Sequence, residues 1–426
     1  MTFEQASKIL SERQSFVKKD GLDRVYSALG KLGNPHERIR AVHVTGTNGK
    51  GSVCALFDSV FRAAGYKTGL FISPHLTDLT ERIKIDGRQM GKRDFAALFG
   101  EVFKAGPDLS SFELLTCMAF LRFAREKTAV AVIEVGIGGR FDTTNVLPRS
   151  ELSVIASVDY DHKKYLGDTI AEIAGQKAGI IKRGGICLAP VLSEAARGPV
   201  LREAAEKGAQ VHLLAPVFEA LGYDWARGRM RLRHKKTGEE QELALLGAAQ
   251  ISNATLVYEG AALLNGSGAF KISPAHIAEG FARVDWPGRF QILKRGGVNY
   301  ILDGAHNPEA IRAFIATFES SPFKDRDAVF IAGFLDDKDH LSILGSLAPY
   351  AGKIIFTKPP SERAVDPCVL ADEYSRISRP DAGIEAQENI EAALASGARA
   401  GTVVVLGSFY LVGSVLSILK RVGSRW

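Results

Sequence analysis

The sequence predicts an α/β protein in which a P-loop-containing, mostly parallel sheet domain is followed by a second, smaller Rossmann-like α/β domain. Three features lead there. Short apolar runs alternate with helical spacings along most of the chain. One run ends in a glycine-rich turn that carries a lysine and opens a helix. After a break at Trp286-Pro287-Gly288-Arg289 the alternation begins afresh. At 426 residues the chain exceeds one ordinary core, and the expected domains are residues 1–286 and 287–426.

Taken in order, residues 40–45 read as the first strand. Beyond the glycine-rich turn, Val53, Leu56, Phe57, Val60, Phe61 and Ala64 recur at helical spacing, and Gly65 is placed to stop that helix. Residues 67–72 read as the next strand. Residues 129–135 and 152–158 are continuous apolar runs, as strands covered on both faces require. Thr169-Ile170-Ala171-Glu172 is a capping box, which puts Lys177 inside a helix. In the second domain residues 298–302 read as a strand. Asn307-Pro308-Glu309 then supplies a helix cap, a first-turn proline and a first-turn acid. Ile311, Phe314, Ile315 and Phe318 form that helix's apolar face, and further strands are expected at 328–332, 353–357 and 403–406. Residues 402–419 are uncharged and long enough for a membrane span. A buried strand followed by a Gly407-Ser408 turn into a helix is the better reading.

The composition, 46% hydrophobic and 24% charged, is that of a globular chain. Forty-three glycines without a G-x-y period exclude collagen. Lys+Arg 54 against Asp+Glu 48 gives +6, which suits an anionic small-molecule substrate, and no basic block argues for nucleic acid. Cys54, Cys117, Cys187 and Cys368 lie far apart without C-x-x-C spacing, so neither a zinc site nor a secreted disulfide framework is expected. The mixed, polar N-terminus is unlike a signal peptide. The expectation is a cytoplasmic monomer with no membrane or nucleic-acid partner.

Gly46-Thr47-Asn48-Gly49-Lys50-Gly51-Ser52, between a strand and a helix, is a candidate phosphate loop. Its glycines let the backbone turn tightly with N–H groups inward, the helix N-terminus adds partial positive charge, and the lysine reaches the outer phosphates. The spacing departs from G-x-x-x-x-G-K-[ST]. Val44 stands where that pattern has glycine, and the hydroxyl of Ser52 comes one position late.

The stretch TGTNGKGS resembles the ATP loop of the Mur ligase superfamily. Within it the chain is similar, nearly end to end, to folylpolyglutamate synthase/dihydrofolate synthase. The matching signatures follow in order: Ile72-Ser73-Pro74-His75-Leu76 with Glu81-Arg82-Ile83; Glu134-Val135-Gly136-Ile137-Gly138-Gly139-Arg140-Phe141-Asp142-Thr143-Thr144-Asn145; and Asp161-His162. Gln176-Lys177-Ala178-Gly179-Ile180, Pro287-Gly288-Arg289-Phe290 and Asp303-Gly304-Ala305-His306-Asn307-Pro308 complete them. The resemblance implies an ATP-dependent amide ligase that adds L-glutamate to 7,8-dihydropteroate, to the γ-carboxylate of folates, or to both, through an acyl phosphate. ATP and Mg²⁺ at two sites are the implied cofactors.

Hard oxygen donors suit Mg²⁺. Ser52 after the loop and Glu134 at a strand end have the right places for it. The resemblance adds Ser73 and His162 as metal ligands, the latter beside Asp159 and Asp161. It also implies a carbamylated, catalytic Lys177, its ammonium replaced by a carboxylate-like group that supports the second metal. On its residues alone Lys177 reads as a solvated surface lysine, and Gln176 departs from the family's usual Glu. By resemblance Asn253 lies on the adenine side, Arg289 and Asp303 contact ATP, and His306 joins Lys50 in catalysis; His306 could instead be structural in its turn. An ATP site divided between domains implies closure before chemistry. For the pterin acid, Asp20-Gly21-Leu22, Ser111-Phe112-Glu113 and Phe141-Asp142-Thr143 resemble the family's contacts. Phe112 would offer an aromatic face, or equally serve as a core phenylalanine ahead of residues 114–120.

A Mur-type ligase acting on a nucleotide-linked peptide is the near alternative, against which no UDP-sugar domain is expected ahead of a loop beginning at Gly46. A P-loop ATPase or kinase without ligation is the distant one, and such a module needs no domain like that of Arg289 and Asp303.

Overall fold

The structure, a computed structural model, describes residues 1–13, 21–324 and 328–422. Contacts divide the chain into two compact units. The first comprises Met1–Glu219, Arg233–Gln241 and Ile251–Val284, and the second Ala220–Leu232, Glu242–Gln250 and the chain from Asp285 onward.

The first unit is built on an 8-stranded sheet. In chain order its strands are β1 (Ala41–Thr45), β2 (Thr68–Phe71), β3 (Ile83–Ile85), β4 (Arg88–Gln89), β5 (Val130–Glu134), β6 (Leu152–Ile155), β7 (Ile186–Pro190) and β8 (Gln210–Leu214). In space they run β4-β3-β2-β5-β1-β6-β7-β8. From β2 to β8 every pairing is parallel, and only β3 and β4 at the edge are antiparallel. Every residue of β1, β2, β5 and β6 is buried, as the apolar runs at 129–135 and 152–158 predict for β5 and β6. The β6 run is shorter than the sequence suggests. Residues beyond Ile155 leave the sheet for a loop that the site uses, although Ala156 still donates to the Thr45 carbonyl at 2.7 Å.

Two cores flank this sheet. Helices Lys92–Ala105 and Ser111–Glu126 bring Phe95, Phe99, Leu114, Phe120 and Phe123 against Phe71, Ala131 and Ile133. Helices Ile170–Ala178 and Glu194–Glu206 bring Ala174, Ala178 and Val200 against Ile155 and Cys187. Helix Lys50–Ala63 is buried without a break from Gly51 to Phe61, where the sequence promised only an apolar stripe. The cause is helix Pro274–Arg283, which lies against it. A Cβ on Gly280 would come within 2.6 Å of the Val60 Cα, and Ser59 Oγ donates to the Gly280 carbonyl at 2.7 Å.

Strands β9 (Phe218–Asp224), β10 (Arg229–His234) and β11 (Glu240–Leu243) form a 3-stranded sheet in the order β11-β10-β9. The second unit carries a 6-stranded sheet of β12 (Gln291–Arg295), β13 (Val298–Leu302), β14 (Val329–Ala332), β15 (Lys353–Thr357), β16 (Gly383–Gln387) and β17 (Thr402–Leu406). Its order is β12-β13-β17-β14-β15-β16, parallel except for the β12–β13 hairpin. Asn307 caps helix Pro308–Glu319 through Ala310 N–H at 2.9 Å, with Ile311, Phe314 and Phe318 buried. The uncharged stretch 402–419 divides into β17 and helix Phe409–Val422. Among the described residues no helix is long and apolar enough to cross a membrane.

The close approach at Gly280 yields a direct test. Gly280→Ala places a methyl against backbone rather than a flexible side chain, and the fold should lose about 1–3 kcal/mol. Urea midpoints of wild type and variant measure this. An unchanged midpoint would mean that the helices separate freely.

Candidate active site

Parallel registry gathers the candidate residues. Val44 pairs with Glu134, Thr45 with Ile155, and Phe71 with Ile133. The segments leaving β2, β5, β1 and β6 therefore emerge side by side at the C-terminal edge of the sheet, where open α/β sheets bind ligands.

The segment leaving β1 is the glycine-rich turn, and it is sewn to the one leaving β6. Thr47 N–H donates to the Ser157 carbonyl at 3.0 Å, and Asn48 N–H to Ser157 Oγ at 2.9 Å. Thr47 Oγ1 donates to the Asp159 carbonyl at 2.9 Å and accepts Asp159 N–H at 3.0 Å. Gly49, at φ 79°, caps helix Lys50–Ala63 in a conformation that favours glycine. A Cβ there would lie 2.7 Å from Asn253 Oδ1, so the buried Asn253 packs directly on the turn. Lys50 Nζ donates to the carbonyls of Gly46 and Thr47 at 2.9 and 3.0 Å, which folds the ammonium back over the turn. The buried Ser52 follows in the first helical turn. A cation, a helix N-terminus and a tight turn so arranged can receive a phosphate.

Glu134 ends β5 and is 3% exposed, and its Oε2 accepts Ser73 N–H at 2.9 Å. Burial first and the Glu134 charge second push the Cys54 thiol up, with Lys50 opposing, so Glu134 and Lys50 act on one neighbourhood. His162 sits at φ 51° ahead of helix Lys163–Leu166, its N–H on Asp161 Oδ1 at 2.8 Å. Two serine hydroxyls, a buried carboxylate and an imidazole at one sheet edge fit a hard divalent cation such as Mg²⁺. Among the described residues no group of three or more His, Cys, Asp or Glu is arranged to hold a metal.

The loop 136–145 leaves β5 and rests on the C-terminal end of helix Ile170–Ala178. Arg140 N–H donates to the Gln176 carbonyl at 2.8 Å and Asn145 Nδ2 to that of Gly179 at 3.2 Å. A Cβ on Gly139 would lie 2.9 Å from the Gln176 and Lys177 carbonyl oxygens. The Arg140 guanidinium pairs with Glu203, which Lys207 also holds at 2.7 Å. The predicted capping box is formed, Thr169 Oγ1 accepting Glu172 N–H at 3.2 Å and Glu172 accepting Thr169 N–H at 3.0 Å. Lys177 is only 2% exposed, contrary to its reading as a solvated surface lysine. Ala174 and Ala178 pull its helix into the core, and the loop covers the helix end.

The residues expected on the pterin side fare differently. Asp20 lies outside the described residues. Gly21 precedes Leu22, the half-buried N-cap of helix Asp23–Lys31. Ser111 opens helix Ser111–Glu126, and Glu113 binds back to Ser110 N–H at 2.7 Å. Both Glu113 oxygens also take Arg24, at 2.9 and 3.1 Å, so this carboxylate is committed to the fold. Asp142 is likewise engaged, accepting Gly136, Ile137 and Thr144 N–H at 3.0 Å each. Burial pushes its carboxyl up, and these donors oppose that. Phe112 is tilted against Phe71 at 5.7 Å, Thr143 is buried, and Phe141 remains 40% exposed.

In the second unit Asp303 follows β13 and accepts Phe290 and Ala305 N–H at 2.8 Å each. Burial pushes its carboxyl up, while the Arg289 charge draws it down. The Arg289 guanidinium lies 4.2 Å over the Phe409 ring, and His306 meets the same ring edge-on at 5.4 Å. His306 Nδ1 is 2.7 Å from the Gly304 carbonyl. Sequence reasoning missed Phe409, which sits in the uncharged run and bears no motif. It also missed Ser157 and Glu203. A signal existed for Thr144, since Asp142-x-Thr144 is the spacing of a side chain capping its own turn.

Residues 288–409 match the family model of the Mur ligase glutamate ligase domain. A dihydrofolate synthase/folylpolyglutamate synthase of Bacillus subtilis is 32% identical over 433 residues, 98% of this chain and 99% of the relative. One from Mycobacterium tuberculosis is 33% identical over 416 residues, 92% and 85%. Among solved structures, the M. tuberculosis folylpolyglutamate synthase complexed with ADP and AMPPCP superposes with a TM-score of 0.87 at 30% identity, covering 98% of both chains. The E. coli FolC complex with DHPP and ADP gives 0.85 at 28%, covering 99% of this chain and 98% of that one.

The segment leaving β2 carries its own titration. Arg82 Nε donates to His75 Nδ1 at 3.0 Å, and burial, with the Arg82 charge next, draws His75 down from 6.5 to about 4. The unfolded chain therefore binds a proton between pH 6.5 and 4 that the folded chain refuses. Stability present above pH 6.5 is lost on acidification through that window, by up to roughly 3 kcal/mol. His75→Gln should flatten the slope of stability against pH there. A variant with the wild-type slope would remove His75 as its source.

Proposed function

The chain belongs to the dihydrofolate synthase/folylpolyglutamate synthase family of the Mur ligase superfamily, and from that premise we propose how its residues divide the work. The protein is an ATP-dependent glutamate ligase of folate metabolism. The observation that carries the residue assignment is the shared exit edge of β2, β5, β1 and β6. It sets the lysine-bearing turn beside Glu134 with its Ser73 bond and beside the 157–162 segment.

At that edge the acceptor's carboxylate oxygen attacks the γ-phosphorus of ATP, giving an acyl phosphate and releasing ADP. The amine of L-glutamate then attacks the acyl carbon, phosphate leaves, and the amine gives up a proton to complete the amide. Lys50 and the N–H groups at the start of helix Lys50–Ala63 hold the phosphate oxygens as charge moves among them. Asn253 stands on the adenine side. Ser52, Ser73, Glu134 and His162 would hold Mg²⁺, with a carbamate on Lys177 supporting a second ion. When bound, Mg²⁺ neutralises the phosphate oxygens. Phe112, Phe141 and Thr143 receive the pterin end of dihydropteroate or of a folate. In the second unit Asp303 fixes the 288–290 turn that carries Arg289, and Arg289 and His306 are the residues of that unit proposed to act on ATP. The cytoplasm is the proposed compartment, in keeping with four free cysteines.

An assay of amide product with ATP, glutamate and either dihydropteroate or a reduced folate tests the reading. Product should form with both acceptors and require all three substrates; ADP release without amide would favour a bare ATPase. Lys50→Ala should cost about 3 kcal/mol of transition-state stabilisation, a fall in kcat/KM of roughly 100-fold, in a protein that keeps its fold. Wild-type turnover in that variant would dismiss the turn as the phosphate site.

The carbamate has its own test. Capture of CO₂ by the Lys177 amine forms an N–C bond, releases one proton and leaves a negative group. In native protein under ¹³CO₂ a carbonyl carbon signal should appear that Lys177→Ala lacks. Its absence from wild type, together with full activity in Lys177→Ala, would return Lys177 to a purely structural role.

A further inference from the structure

We propose that His43, in the middle of β1, positions the acceptor-binding loop 136–145 by donating its Nε2 proton to Thr144, which commits the Thr144 hydroxyl to Asp142. The proposal rests on the reading above for what that loop binds.

His43 is fully buried, and its β1 register places it between Ile133 and Ser153. Its Nε2 is 2.8 Å from Thr144 Oγ1, and that oxygen is 2.5 Å from Asp142 Oδ1. Thr144 has one hydroxyl proton to share between the two contacts. Asp142 already gathers N–H donors on both oxygens: Gly136 and Ile137 on Oδ2, Thr144 on Oδ1. A carboxylate so surrounded is an acceptor, and without a proton between them two oxygens at 2.5 Å would repel. The hydroxyl proton therefore lies toward Asp142, and Thr144 Oγ1 must accept from His43.

The other ring nitrogen leads to the same tautomer independently. His43 Nδ1 is buried and has no hydrogen-bond partner among the described residues. A lone pair tolerates that place better than an N–H, because a stranded buried donor forfeits its full desolvation penalty. Burial, with the nearby Lys182 charge adding to it, holds the ring neutral. The proton on Nε2 gives Nε2 its partner and leaves Nδ1 with a lone pair rather than a stranded donor.

The relay ends on the backbone that matters. Asp142 fixes the N–H groups of Gly136 and Ile137, two and three residues beyond Glu134. The Phe112 ring lies over Gly136, and Phe141 and Thr143 flank Asp142 in the chain. His43 itself is buried under the loop and acts only through Thr144. Its loss should loosen the pterin contacts while leaving the nucleotide turn, which is anchored by Ser157 and Asp159, in place.

The tests are a pair of variants and one spectrum of the unaltered protein. His43→Met removes the donor and should raise KM for the acceptor acid by about tenfold, the scale of one buried hydrogen bond, with KM for ATP nearly unchanged. His43→Gln keeps an amide donor near the Nε2 position and should recover most of that loss. Equal impairment of Met and Gln, or a wild-type acceptor KM in His43→Met, would overturn the assignment. Should both variants fail to fold, long-range ¹H–¹⁵N correlation of wild type decides. It should find His43 neutral, with the proton on Nε2, and an Nδ1–H ring would refute the relay. That spectrum is read without turnover, so a failure of the ligase assay condemns the functional reading while the tautomer still judges His43.

Discussion

The ladder joining β1 to β5 on one side and β6 on the other is the constraint from which the site follows. Parallel strands deliver their ends to the same edge, and the pairing of Val44 with Glu134 sets the acid beside the start of the glycine-rich turn. Side chains on a strand alternate between faces, so a slip of one residue would turn His43 away from Thr144. Burial on both faces makes such a slip expensive, because every residue of β1 and β5 has its place in a core. The arrangement is specified by packing well away from any ligand.

A second theme is the use of buried carboxylates as knots. An isolated ionised carboxylate is costly to bury, and only donors around it offset that cost. Asp142 is satisfied by three backbone N–H groups and a hydroxyl, Asp303 by two backbone N–H groups and the charge of Arg289. Each follows a strand of its own unit and pins the turn next to it. Glu113 does the same for a helix start, with Arg24 as its cation. Acids that a motif reader assigns to ligands can thus earn their places by shaping the backbone that ligands meet.

Much of this was legible beforehand, and the reasons are local. Continuous apolar runs announced β5 and β6; Thr169 with Glu172 and Asn307 with Pro308 announced their helices, since caps act within one turn. What stayed hidden depends on distant chain. Helix Lys50–Ala63 is buried all round because residues near 280 come to lie on it. Lys177 is buried because the loop after β5 closes over the end of its helix. Phe409 gains its meaning only when β17 and β13 pair and bring it under Arg289 and His306. Two stretches ahead of residue 285, Ala220–Leu232 and Glu242–Gln250, group with the second unit, and no composition change marks them.

The backbone contact at Ser59, Val60 and Gly280 has a mechanical meaning. Helix Lys50–Ala63 is pinned beyond its midpoint by a partner in backbone contact with it at Gly280. It therefore resembles a post more than a piston. Whatever free energy a phosphate supplies at the N-terminus of this post cannot be stored as displacement of the post itself. It must appear instead around the post, in the Lys50 side chain and the segments leaving β2, β5 and β6.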